Sequence, residues 1–126
     1  MIGVEKTYFP SGIVELEYET SEGVRHGRFR RYHENGVLAC ETHYANGVRN
    51  GQYKFWYENG QIEDEGWYEE GKQFIQNCWL EDGNQTMKDG SGYWLRKWPP
   101  IPGGEITEQH FENYVHVGRK VVGSHP

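Results

Sequence analysis

Histidine and cysteine are the side chains of this chain that could bind a metal or attack a substrate. The sequence has six histidines, at positions 26, 33, 43, 110, 116 and 125, and two cysteines, Cys40 and Cys78. Cys40 and His43 are three residues apart, but no second closely spaced pair completes the four ligands of a structural zinc site. The cysteines have no CxxC spacing, which favours reduced, packed thiols. The sequence therefore predicts neither a metal site nor a cofactor.

Serines, glycine-rich turns and carboxylates are the other groups that catalysis could use. No serine of the sequence lies in a nucleophile elbow, and Gly90-Ser91-Gly92 lacks the strand–loop–helix context of a phosphate-binding loop. The run Glu63-Asp64-Glu65 could supply general acids and bases, yet such runs are more often a solvated surface. We favour the solvated surface, and the sequence predicts a protein that is not an enzyme.

The composition indicates which partners the chain could bind. Its formal net charge of -6 argues against a nucleic-acid binder, because phosphate contacts need clustered Lys and Arg, and it favours a basic protein partner. Aromatic residues are 15% of the chain against 35% for all hydrophobic residues, so rings must form much of the core. No apolar run approaches the length of a membrane span, and residues 1–10 lack the features of a secretory signal. We therefore expect a cytoplasmic protein that does not insert into a membrane.

A 24-residue period organises the sequence between Tyr8 and Gly71. Glycine recurs at that step in two series, and an aromatic residue and a glutamate recur with it. The matching sets are Gly12, Gly36 and Gly60; Gly23, Gly47 and Gly71; Tyr8, Tyr32 and Trp56; and Glu17, Glu41 and Glu65. Chance does not keep four columns in register, so the sequence indicates a repeat protein.

Turn residues divide each repeat into two strands. Asn35-Gly36 and Asn59-Gly60 are typical of tight hairpin turns, and Asn46-Gly47 marks the other end of the unit. The recurring glycines disfavour a helix. The predicted fold is all-β, an elongated antiparallel β-meander of stacked 24-residue hairpin repeats. We expect one domain over residues 1–126, with clear repeats over 8–71 and degenerate repeats and a C-terminal cap over 72–126.

Strand alternation predicts which side chains share a face of the sheet. Ala39 and the glutamates at 17, 41 and 65 should point to the wetter face. Like charges in a column repel, so these glutamates need cationic neighbours, for which Arg28, Arg30 and Lys54 are the candidates, or a cationic partner. The residues expected on the opposite face are Val14, Leu38 and Ile62, with Leu16, Cys40 and Asp64 beside them.

Exposed aromatic residues are the candidates for binding a partner, since Trp and Tyr dominate interface hot spots. Burial in the core is the alternative for each of them. The predicted partner-binding residues are Tyr32, Trp56 and Trp67 as anchors, with Glu41, Glu58 and Glu65 around them.

The repeated Tyr or Trp, Asn-Gly, Glu, Tyr and closing glycines resemble the MORN-variant repeat. Residues 8–71 carry this pattern, although Pro10-Ser11 stands in place of Glu-Asn in the first unit. The stretch Trp79 to Trp94 is similar to a segment between such repeats in the bacterial YwqK-type antitoxin or immunity family. The resemblance implies a β-meander without catalytic residues that neutralises a cognate toxin, expected to be basic, by direct occlusion.

Two other functions fit the same composition. Repeats rich in Gly, Trp and Tyr also build carbohydrate or cell-wall binding modules, which would require an exported chain. A structural MORN-type scaffold is the other alternative, and its negative charge disfavours anionic lipid surfaces.

Overall fold

The fold is a single antiparallel sheet, described by a computed structural model over residues 2–98 and 101–124. Those ranges contain no helix. Each strand pairs with the next one in the chain, except that β4 pairs with both the short β5 and β6. The strands are β1 (Ile2–Tyr8), β2 (Val14–Ser21), β3 (Val24–Tyr32), β4 (Leu38–Ala45), β5 (Val48–Arg49), β6 (Gly51–Trp56), β7 (Ile62–Glu69), β8 (Lys72–Trp79), β9 (Gln85–Lys88), β10 (Ser91–Trp98), β11 (Glu105–Glu112) and β12 (Val115–Ser124). The predicted all-β antiparallel meander is confirmed.

Two-residue turns form one end of the sheet. Both residues of each turn have positive φ, as in type I′ turns, whose twist matches that of the strands they join. The turns are Glu22-Gly23, Asn46-Gly47, Glu70-Gly71, Asp89-Gly90 and Asn113-Tyr114. Successive turns begin 24, 24, 19 and 24 residues apart, so the turn spacing of the repeat continues beyond residue 89 with one shortened unit.

Wider turns form the other end of the sheet, at residues 9–13, 33–37, 57–61 and 80–84. In each, the backbone N–H of the first residue donates to the carbonyl of the last at 2.8 or 2.9 Å. Only the glycine has a positive φ, and Asn35 accepts the N–H of Val37 through its side-chain Oδ1 at 3.0 Å. Asn35-Gly36 therefore makes a wider loop than the tight turn predicted, whereas Asn46-Gly47 makes the tight one.

A β-bulge recurs beside the wide turns. Arg31 pairs with Cys40 and the next residue, Tyr32, pairs with Leu38, so Ala39 is left over. The same shift occurs in the units before and after, and between β8 and β9. The predicted faces are therefore wrong here. Leu38 lies directly opposite Tyr32 and shares its face, and Ala39, expected in water, is 1% exposed.

Aromatic and sulphur-containing side chains form much of the core. Tyr53 is central, with its ring centre 5.1 Å from that of Tyr68 and 5.4 Å from that of Phe55. The composition predicted this reliance on rings. Buried hydrophobic residues include Phe29, Cys40, Tyr53, Tyr68, Ile75, Cys78 and Met87.

Two arginines in equivalent repeat positions cover one end of these rings. The guanidinium carbon of Arg25 lies 5.0 Å from the ring centre of Phe29 and 5.7 Å from that of Tyr44. Arg49 lies 6.0 Å from Tyr44 and 5.4 Å from Tyr68, and donates to both hydroxyls at 3.2 Å. The flat cations thus shield aromatic faces that the sheet alone leaves open.

Asp64 is an acid inside the core, only 4% exposed. Tyr53 donates its hydroxyl to Asp64 Oδ2 at 2.9 Å. Burial, with a smaller contribution from the charge of Glu63, raises the pKa of Asp64 to about 7. The run Glu63-Asp64-Glu65 is therefore not the solvated surface predicted from the sequence.

Replacing Asp64 by Asn should remove a pH dependence of folding. A raised pKa means that the folded state holds the proton more tightly than the unfolded chain, so Asp64 stabilises the fold fully below about pH 4. That contribution is lost as the pH rises to about 7, and the loss should approach roughly 4 kcal/mol. Urea unfolding of wild type and Asp64→Asn across this pH range measures it. Parallel stability curves for the two proteins would contradict the assignment.

Candidate functional site

A ladder of alternating charges, here called the charged ladder, crosses one face of the sheet. Its members lie directly opposite one another on adjacent strands from β1 to β8. They are Lys6, Glu17, Arg30, Glu41, Lys54, Glu65 and Asn77. The predicted glutamate column thus has Arg30 and Lys54 as cationic neighbours. Arg28, the third predicted cation, instead lies opposite His43, and its backbone N–H donates to Glu19.

Two of the predicted partner-binding carboxylates already have hydrogen-bond or ion-pair partners within the charged ladder. Arg30 Nε donates to Glu41 Oε2 at 2.8 Å, and this bond raises the pKa of Arg30. Lys54 Nζ lies 3.9 Å from Glu65, which also accepts from Asn77 Nδ2 at 3.1 Å. A partner that binds Glu41 or Glu65 therefore has to compete with these existing contacts.

Tyr32 and Trp56 lie on the same face as the charged ladder, one repeat apart. Each is the residue at which the register shifts in its unit. Two strand spacings place them roughly 10 Å apart. Both are partly exposed, and among the described residues neither ring is stacked on another. This is the environment predicted for an anchor.

Trp56 stands between two depressions of the surface. The first, of about 320 Å³, is also lined by Leu38 and Glu41. The second, of about 510 Å³, is also lined by His33 and Glu58. Glu41 and Glu58 thus each share a depression with Trp56.

Trp67 lies further along the same face and in a different environment. It is opposite Gln52 on β6. Its ring stacks on Phe74 with centres 5.2 Å apart and an interplanar angle of 7°, and meets Tyr114 edge-on at 5.1 Å. Its Nε1 donates to Glu69 at 3.2 Å. These contacts tie Trp67 to the following strands and do not bring it together with Tyr32 and Trp56.

Hydrogen bonds between successive wide turns hold the surroundings of Trp56 in place. His33 Nε2 donates to the carbonyl of Trp56 at 2.7 Å, and Asn35 Nδ2 donates to that of Glu58 at 2.9 Å. One repeat later, the Tyr57 hydroxyl and Asn59 Nδ2 donate to the carbonyls of residues 79 and 81 at 2.8 and 3.0 Å. The wide turns at 33–37, 57–61 and 80–84 are thus fixed to one another.

A larger cleft, of about 830 Å³, lies where the shortened unit meets β10. It shares Tyr57, Glu63 and Glu81 with the depression beside Glu58, and the two adjoining cavities are here together called the turn-side groove. Sequence reasoning missed this cleft, whose signal was the 19-residue step between turns. The residues that line the cleft are Tyr57, Glu63, Leu80, Glu81, Trp94, Leu95, Arg96 and Lys97.

Glu63 is the carboxylate at the centre of the turn-side groove. It is partly buried, and burial raises its pKa, while the charges of Lys97, Arg31 and His33 oppose the rise. Within the part of the chain that the structure describes, its side chain has no hydrogen bond or ion pair. A partly buried carboxylate that makes no hydrogen bond can still accept one from a cationic group.

Metal binding finds little support in the side chains. Over residues 2–98 and 101–124 no group of three His, Cys, Asp or Glu side chains could hold an ion. Cys40 and Cys78 are buried free thiols, and burial raises both pKa values, that of Cys40 to about 11. Nor does any helix in the described ranges have the length and apolar character to span a bilayer.

Comparison with known proteins gives one match. Residues 25–46 and 49–70 each match the sequence model of the MORN repeat variant. Repeats of this kind suggest a repeat-based binding scaffold and are generally non-catalytic. No curated protein and no solved structure matched the chain.

Replacing Trp67 by Ala should destabilise the fold more than replacing Trp56. Loss of the stacked and edge-on rings around Trp67 should cost about 2–3 kcal/mol of unfolding free energy. Trp56→Ala, which removes no ring stacking, serves as the matched comparison and should cost about half as much or less. Urea unfolding measures both. A larger loss for Trp56→Ala would place Trp56 in the core and reverse the distinction.

Proposed function

We propose that this protein is a non-catalytic scaffold that binds another protein through the face that carries Trp56. On the resemblance to antitoxin proteins, the proposed role is that of a bacterial, cytoplasmic immunity protein that neutralises a basic toxin domain by occluding it. The observation that carries the proposal is the position of Trp56, unstacked and between two depressions. Neither a nucleic acid nor a membrane is part of the proposed role.

The surroundings of Trp56 fit an interface anchor. A partly exposed ring between two depressions can be buried by a partner without breaking a ring contact of the fold, and Trp is the residue most enriched at hot spots. Hydrogen bonds from His33 and Asn35 fix the backbone at Trp56 and Glu58, so little order has to be gained on binding.

The predicted carboxylates should contribute unequally. Glu41 and Glu65 are balanced by Arg30 and Lys54, so they add little net attraction for a basic partner. Glu58 is exposed and makes no ion pair within the described residues. We therefore expect Glu58 to act mainly by steering the encounter, since charges at an interface rim change association rates more than affinity.

The product of the gene adjacent to this one is the partner to test. Trp56→Ala should weaken binding by about 2 kcal/mol or more, roughly thirtyfold, in a titration of the folded variants. Glu58→Gln should mainly slow association, and added salt should have the same effect on wild type. Glu112→Gln, an exposed carboxylate on β11 away from Trp56, is the control.

Two results would count against the proposal. Wild-type affinity in a folded Trp56→Ala variant would remove the anchor. The carbohydrate-binding alternative would be favoured if the wild-type protein does not bind the adjacent gene product but is retained on cell-wall glycan.

A further inference from the structure

Part of β10 has no strand beside it on the side of the turn-side groove. β10 pairs with β11 from Gly92 to Trp98, but with β9 only at Ser91 and Gly92. The cause is the shortened unit, which leaves β9 with four residues. Beyond Gly92, therefore, no strand within residues 2–98 and 101–124 pairs with β10 on that side.

The open side of β10 carries backbone donors and acceptors. The carbonyl of Tyr93 accepts a hydrogen bond from Thr86 Oγ1 of β9 at 2.7 Å, so Tyr93 directs its backbone groups towards β9. Alternate residues of an antiparallel strand direct their backbone groups to the same side. Leu95 and Lys97 consequently present their N–H and C=O groups there.

These backbone groups lie at the wall of the cleft. The four consecutive residues 94–97 all line it. Successive side chains of a strand point to opposite faces, so a run of four residues lines one wall only through its backbone edge. The cleft is therefore lined by an open strand edge and also by the carboxylates of Glu63 and Glu81.

We propose that the turn-side groove binds an extended segment of a protein partner, which pairs as an added strand with β10 at Leu95 and Lys97 and places an Arg or Lys side chain against Glu63. Strand addition uses backbone groups for affinity and side-chain pockets for specificity. The inference rests on the proposed protein-binding role and specifies the partner's chemistry as extended and cationic.

Charge and ring chemistry select the cationic side chain. Three carboxylates (Glu58, Glu63 and Glu81) and two cations (Arg96 and Lys97) line the groove, so its lining is net acidic and favours a cationic segment over an acidic one. Tyr57 also lines the groove and supplies an aromatic ring to which a guanidinium or ammonium group is attracted. An arginine also fits a carboxylate through two parallel hydrogen bonds, which favours Arg over Lys.

Short peptides test the strand pairing. The probe is acetyl-Thr-Val-Arg-Val-Thr-amide, titrated calorimetrically against the whole protein. The backbone N–H groups of successive residues in a strand point to opposite edges. N-methylation of both valines therefore blocks the donors on one edge of the peptide, and N-methylation of the arginine blocks a donor on the other edge. One methylated peptide should bind at least about tenfold more weakly and the other nearly unchanged. A peptide with Glu in place of Arg should also bind at least about tenfold more weakly.

Amide hydrogen exchange locates the bound peptide. The amides of Leu95 and Lys97 should exchange more slowly when the arginine peptide is present. The amides of Trp94 and Arg96 point towards β11 and should change little, which makes them an internal control. Unchanged exchange at Leu95 and Lys97 with bound peptide would overturn the proposal.

A variant of Glu63 tests the cationic contact. Glu63→Gln should weaken the arginine peptide at least about tenfold, while Glu112→Gln, outside the groove, should bind as wild type does. Three results would each overturn the proposal. They are wild-type affinity of Glu63→Gln for the arginine peptide, equal binding of the two methylated peptides, and no binding of the arginine peptide at millimolar concentration.

The same variants separate this site from the proposed immunity role. If the adjacent gene product binds wild type and Glu63→Gln equally well, the groove is not the site, although the binding role stands. If the arginine peptide binds but the adjacent gene product does not, the groove is supported and the immunity role is overturned.

Discussion

Pairing of each strand with its neighbour at a constant turn spacing is the constraint on which the rest of this structure depends. The described residues form one sheet, so a side chain is buried chiefly by neighbours on adjacent strands. Each unit must therefore place its aromatic side chains at the same level along the strands as the preceding unit does, as expected for a stack of repeats that contact only their neighbours. The fit is tight at Gly66, where an added Cβ would overlap the backbone carbonyl of Phe74.

The charged ladder follows from that constant register. Glutamate recurs in one strand of each unit, and the intervening strands supply Arg30 and Lys54, so charges alternate across the sheet. Each exposed pair adds at most about 1 kcal/mol, but a slip of one residue would move the whole set to the other face. The charges of the ladder balance one another, whereas Glu58 and Glu63, near the wide turns, make no ion pair among the described residues.

The sequence predicts the repeat and the fold class from columns that recur at a fixed step, and it predicts the aromatic core from the composition. Strand alternation could not predict to which face of the sheet Leu38 and Ala39 point. A bulge adds one residue to the strand there, and the pattern of polar and apolar residues does not reveal it. For Asp64 two sequence arguments disagreed: strand alternation placed it beside Cys40 on the drier face, whereas the charged run 63–65 indicated solvent, and the structure buries both Asp64 and Cys40. The partly exposed position of Trp56 was predicted, but the cleft near β10 was not.

A shortened unit in a regular array of repeats leaves part of a neighbouring strand uncovered. Where every unit has the same length, each strand edge is covered by the next strand and the surface repeats uniformly. Loss of residues between two turns shortens one strand and uncovers part of its neighbour, here β10, while pairing resumes on either side. The departure from the repeat thus creates both an open backbone edge and a cleft at one place in the sheet. Specific recognition requires such a unique place, because a uniform surface offers equivalent positions in every unit.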